Sequence, residues 1–276
     1  MKKNAFQSFA AVPHSVWVVL FIAAPLLFVL AFAFRGADGS FSLANIAELS
    51  QYGNVFVLSI AFALIATVVC LLIGYPLAYF MSRQSPRAQR ILMVLVMLPM
   101  WCNLLIRTYA LMALLDNGGL LNSLLENLGL PKIPIVGTNF GVILGMVYDF
   151  LPYMVLPIFT AMTKLDQRYI EASHDLGCNG WQTMTRVVLP LTMSGVISGV
   201  TMVFVPSIST FYISQKLGAG KIDLVGDTNE RLFQNTATYG VGAAISLVMM
   251  ILILISVGIM NRFSGDDEGE KKGALK

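Results

Sequence analysis

Apolar residues gather into six long runs along this chain, divided by shorter polar stretches. The runs are roughly Val16 to Phe34, Val55 to Phe80, Ile91 to Leu115, Phe140 to Thr163, Val187 to Ile213 and Val241 to Met260. An α-helix rises about 1.5 Å per residue, so about 20 apolar residues cross a hydrocarbon core about 30 Å thick. The pattern therefore predicts an all-α integral membrane protein with six crossings. Four runs carry no charged residue; the third contains Arg107 and the fourth Asp149.

Composition agrees with that reading. Of 276 residues, 57% are hydrophobic and 12% charged, about half the charged fraction of a typical soluble domain. Lys2 and Lys3 precede the first run, as in a signal peptide, but the run exceeds the 7 to 15 apolar residues usual for one. Cys70, Cys102 and Cys178 are dispersed and odd in number, and predict neither disulfides nor a zinc site. With six crossings, twelve Lys and Arg fall on the side of the termini and of loops 81–90 and 164–186, against five on the other side. That asymmetry places both termini in the cytoplasm. The net charge of +3 follows from topology and is no sign of nucleic-acid binding. Three regions result: a cytoplasmic N-terminus over 1–15, a six-helix membrane domain over 16–263 with an inner loop at 164–189, and a tail over 264–276. The tail is polar and of mixed sign, and is expected to be disordered.

The inner loop is conspicuously polar. "YIEASHDLGCNGWQTMTRVVLP" holds Glu171, His174, Asp175 and Arg186 between two apolar runs. Good helix formers lead up to Gly177, which can supply the left-handed turn that ends a helix. A catalytic reading makes His174 a base, yet neighbouring helical residues such as His174 and Asp175 point apart, and no Ser or Cys is placed as a nucleophile. Two readings stay open: a solvated loop that holds topology, and a docking helix. In the second, Ala172 and Ser173 let a partner approach closely while Glu171 and Asp175 offer acceptors.

The spacing favours docking. Glu171, Ala172 and Ser173 are followed by three residues, Gly177, nine residues, Val187, one residue, then Leu189 and Pro190. This resembles the EAA motif of ABC importer permeases, with Ser173 replacing Ala and Val187 replacing Ile. The resemblance implies the type I importer permease (MetI-like) fold and makes Glu171, Ala172, Ser173, Asp175 and Gly177 the contact to an ATPase subunit. "ALIATVVCLLIGYPLAYF", "LPMWCNLLIRTYAL" and "FYISQKLGAGK" further resemble the B-type permease subunit of spermidine/putrescine importers. It thus implies a sister permease in a heterodimer, two ATPase subunits that bind ATP and magnesium, an extracytoplasmic solute-binding protein, and a bacterial inner membrane. Relatives for opines, other amines or small anions share this framework and remain alternatives.

No cofactor is expected in this chain itself. "LGAGKI" approaches a P-loop, but Gln215 stands where the first glycine is required and Ile222 where Ser or Thr is. An ion-driven secondary transporter is the rival class; such proteins use internal repeats and several intramembrane carboxylates. Here Asp149 is the one carboxylate within a run, and the halves show no convincing repeat.

Arg107 and Asp149 each cost about 2.5 to 3.5 kcal/mol at the centre of a lipid-facing helix, so both should face protein or water. Both lie roughly 12 to 15 Å below the outer face and can meet. They form either a buried pair that fixes register or a site where Asp149 accepts a cationic amine and Arg107 tunes it. In the second case Tyr109, Tyr148 and Tyr153 add cation–π contacts, and Asp149→Asn lowers uptake with assembly intact. The resemblance adds Phe211 and Tyr212 to the substrate path. Residues 214–239 are too polar to be buried in lipid; the resemblance implies that they help form an outer gate or contact the binding protein, and a plain solvated loop is the alternative. Pro76, Pro99, Pro152, Pro157 and Pro206 favour kinks. "GVILG" and "GVISG" place glycines four apart, where a second helix can pack closely.

Overall fold

The computed structural model of the chain describes residues 5–36 and 39–264. The expected tail beyond Ser264 and the first four residues lie outside them. Every regular element among the described residues is helical, and an isolated antiparallel bridge joins Arg35 to Phe41. Five helices are long and apolar enough to cross a membrane, and a sixth crossing forms if one bent pair is counted as a single span.

Two compact units make up the chain. The first holds the described residues up to Asn54 together with Thr228–Leu252. Its opening crossing, Val12–Ala33, is nearly bare, with Trp17, Phe21, Leu27 and Phe28 exposed. Such a surface is stable only against lipid or another apolar partner. Asn45 Nδ2 donates to Arg35 O at 2.9 Å and lies 3.3 Å from Ala33 O, so one side chain closes the carbonyl end of that helix. Ala33, Ala243 and Ala244 are fully buried and let backbones approach closely.

The second unit, Val55–Asp227 with the residues from Ile253, carries the sites of interest. Its axis is the helix Asn139–Thr163, the most buried of the crossings. The helix Met193–Ser209 lies against it through the predicted glycine pair. A β-carbon at Gly195 would sit 2.8 Å from Pro157 O, and one at Gly199 3.0 Å from Met154 O. Those distances leave no room for a side chain, so the pair fixes the closeness of the seam.

Two predicted runs are broken. Ile91 to Leu115 divides into Pro86–Trp101 and Leu104–Leu115. Pro99 removes a backbone donor near the break, Cys102 is extended, and Asn103 Oδ1 caps the second helix by accepting from Leu105 N at 2.8 Å. The candidate crossing of this region runs from Leu104 to Asn127, through the helix Leu104–Leu115 and a shorter one, Leu120–Asn127. Val187 to Ile213 also bends: Gly180–Leu191 and Met193–Ser209 meet at 71°. At the corner Thr192 Oγ1 donates to Val188 O at 2.8 Å and lies 3.2 Å from the Tyr75 hydroxyl.

Candidate functional site

The two intramembrane charges meet. Asp149, on the axial helix, is 0% exposed and Arg107 is 6% exposed. Arg107 Nε lies 2.5 Å from Asp149 Oδ1, a buried ion pair. Thr108 Oγ1 donates to Asp149 Oδ2 at 3.0 Å. Arg107 Nη1 donates to Pro99 O at 2.9 Å and Nη2 to Asp149 O at 3.2 Å. The guanidinium thus closes the break at Cys102 and Asn103, binding the end of one helix and the flank of another. Its carbon also sits 5.8 Å from the centre of the Tyr148 ring. The carboxylate is spent on protein partners and is not presented to a solute in this conformation.

Beside this enclosed cluster lies an open aromatic one. Tyr109 is half-exposed, and its ring meets that of Tyr212 edge-on at 5.8 Å between centres. Lys216 Nζ lies 4.8 Å from the centre of Tyr109 and 5.6 Å from that of Tyr212. Four residues apart on the helix Tyr212–Leu217, Tyr212 and Lys216 share a face. Lys216 lies outside the crossing helices, and the Tyr109 hydroxyl beside it holds its ammonium above the usual lysine range. Phe211 is exposed next to them, whereas Tyr153 is half-buried and packs edge-on against Phe150. In the sequence Lys216 stands out only as an outer-side charge; its spacing from Tyr212 was the available signal.

The polar stretch from residue 214 is no loose loop in this unit. Ile213, Leu217, Leu224 and Val225 are buried. Gly137 N donates to Leu217 O at 2.7 Å, and Val225 N to Ser59 Oγ at 2.8 Å. A β-carbon at Gly145 would overlap the Leu217 side chain, so this one glycine of the first predicted pair receives the segment, while Gly141 lies against the backbone of Ile135 instead.

At the inner end, the helix Gln167–Asp175 follows the axial helix. Asp166 caps it, with Oδ1 accepting from Arg168 N at 3.0 Å. Gly177, at φ +81°, ends it. Cys178 N donates to Ser173 O at 3.0 Å and Gly177 N to His174 O at 2.9 Å, the paired bonds of a Schellman end. A capping box between Asn179 and Gln182 starts the next helix, so the chain turns within a few residues. Ile170 and Ser173 face inward; Ser173 Oγ donates to Ile170 O at 2.7 Å and lies 2.9 Å from Thr183 Oγ1. Tyr169, Glu171, Ala172, Asp175 and Leu176 face outward, with Leu176 84% and nearby Trp181 75% exposed. Ser173, expected to face a partner, is an internal anchor instead. His174 Nδ1 lies 3.2 Å from Cys178 O, on its own turn.

Comparison with known proteins decides what this arrangement belongs to. The family described as "Binding-protein-dependent transport system inner membrane component" matches residues 71–265. The chain belongs to this family of importer permeases. A spermidine/putrescine transport system permease protein PotB of Haemophilus influenzae is 38% identical over 94% of each chain. The protein of the same description from Escherichia coli K12 is 37% identical over 86% of this chain and 90% of its own. A chain of a bacterial alginate ABC transporter, in complex with a periplasmic protein carrying an alginate pentasaccharide, shares the fold at TM-score 0.76 and 17% identity, covering 95% of both chains. This permease is accordingly an integral membrane transport component of an ABC importer and not an enzyme. The matched region contains both the Arg107–Asp149 cluster and the Gln167–Asp175 helix.

Proposed function

We propose that this permease carries spermidine, putrescine or a closely related amine across the bacterial inner membrane. It does so as one half of a heterodimer with a sister permease. Two ATPase subunits drive the pair, an extracytoplasmic binding protein delivers the solute, and both termini face the cytoplasm. The observation that carries the amine reading is 38% identity with a spermidine/putrescine permease along 94% of both chains.

The exposed face of Gln167–Asp175 is the handle through which the ATPase moves the chain. Glu171 and Asp175 offer acceptors, Ala172 leaves room for close approach, and Leu176 supplies an apolar contact. Ser173 and Gly177 act from within, one anchoring the helix to Thr183 and the other turning the chain back toward the membrane. A rigid handle transmits displacement to the bent pair at Gly180–Leu191 and Met193–Ser209. Within the membrane, Arg107 and Asp149 hold the broken third run in register, and the exposed aromatic groups Tyr148, Phe211 and Tyr109, with the half-buried Tyr212 beside Tyr109, offer their rings to the solute.

The test is uptake of labelled spermidine by proteoliposomes containing the full complex and its receptor. Uptake requires ATP and persists when ion gradients are collapsed. A receptor that prefers a small anion, or uptake that follows an ion gradient without ATP, overturns the reading.

A further inference from the structure

A free ammonium in an aromatic pair is the chemistry of alkylamine recognition, and here the chain supplies its own. The Tyr109 and Tyr212 rings stand at 71° to each other, and Lys216 Nζ reaches both faces within cation–π distance. No ion pair of Lys216 with a carboxylate is found among the described residues, in contrast to Arg107 and its Asp149. Tyr109 and Phe211 remain substantially exposed beside it. Lipid does not accommodate a charged ammonium at low cost, so the open side of this cluster faces water. The lysine head is a primary ammonium on a four-carbon stem, the same chemical unit that ends an alkyl diamine or triamine.

We propose that Lys216 is a tethered stand-in for the solute: its ammonium occupies an aromatic site that receives one ammonium of an incoming polyamine. This rests on the amine reading above and deepens it. Two like charges cannot share the pair, so arrival of the solute expels the Lys216 head, and departure lets it return. The tether makes the lysine a competitor present at a high effective concentration. It also keeps the rings from being occupied by abundant weaker cations. The site therefore takes alkylammonium groups and rejects neutral alcohols of the same length, because the ring faces attract charge and not the alkyl stem alone.

The experiment uses the full complex in proteoliposomes and n-butylammonium as the probe against spermidine uptake. Lys216→Met empties the pair, and half-inhibition by n-butylammonium is expected at an about fivefold lower concentration than in the wild type. Lys216→Arg keeps a tethered cation and the wild-type value, and 1-butanol inhibits neither form. Equal half-inhibition in the wild type and Lys216→Met overturns the proposal while leaving the amine reading standing. A wild-type complex that takes up no spermidine overturns both. Lys216→Gln serves as a second neutral variant and is read in the same way. Should both fail to assemble, Tyr109→Leu in the otherwise wild-type chain is expected to raise the half-inhibitory concentration about fivefold; an unchanged value counts against the site.

Discussion

The Arg107–Asp149 cluster and the Gln167–Asp175 helix are both polar islands in an apolar chain, and they spend their polarity in opposite directions. In the first, both charges and a threonine hydroxyl turn toward one another, and solvent reaches almost none of them. In the second, the inward groups are an isoleucine and a serine, while the two carboxylates point out. Burial separates a staple from a handle. A pair closed on itself fixes a broken helix but offers nothing to a partner, whereas an exposed carboxylate on a helix anchored by its other face contributes little to the fold and is free to be recognised.

That contrast breaks most visibly at the staple. Asp149→Ala leaves a buried guanidinium without its counter-charge, for which the expected loss is about 3 to 5 kcal/mol. Thermal unfolding of the purified complex should show it, and Arg107→Met with Asp149→Leu should recover much of it because the bare charge is gone. Asp149→Asn is expected to lower thermal stability ahead of any change in transport, since the carboxylate is enclosed; normal stability with reduced uptake would return Asp149 to the solute's path.

At the handle the expected effect moves from stability to association. Glu171→Lys should weaken co-purification of the ATPase by about tenfold, equivalent to about 1.4 kcal/mol, with unfolding temperature unchanged. A lowered unfolding temperature with normal ATPase association would mean that Glu171 belongs to the fold. Ser173→Ala is the smallest change and sharpens the boundary between the two roles. It removes the hydroxyl that bonds Ile170 O and faces Thr183, at about 1 kcal/mol. Circular dichroism melting should detect this loss, and Thr183→Ala in the same chain should add little to it.

Much of this was legible in the residues. The apolar runs marked the crossings, Gly177 ended its helix in the left-handed region as its position suggested, and Gly195 with Gly199 sits in a close helix seam. Depth along the runs brought Arg107 and Asp149 to one level, and they pair. What stayed hidden depended on packing across the fold. A run of apolar residues does not reveal that Asn103 will cap a new helix after Pro99 has weakened the old one. Composition could not show that the polar segment after Ile213 is pinned by bonds from Gly137 and to Ser59, both distant in sequence. The inward turn of Ser173 depends on Thr183 across the glycine corner, and Lys216 acquires meaning only once Tyr109 is brought beside it.

The central claim is that an ATPase subunit moves this permease through the outward face of Gln167–Asp175. Its most direct measurement is cross-linking from a single cysteine at Leu176, introduced into a chain whose Cys70, Cys102 and Cys178 have been replaced, within the complete transporter. Rapid capture of the ATPase, with ATP-driven uptake abolished by the cross-link and restored on reduction, is the expected result. A cysteine there that never reaches the ATPase, or a captured transporter that continues to pump, would contradict it.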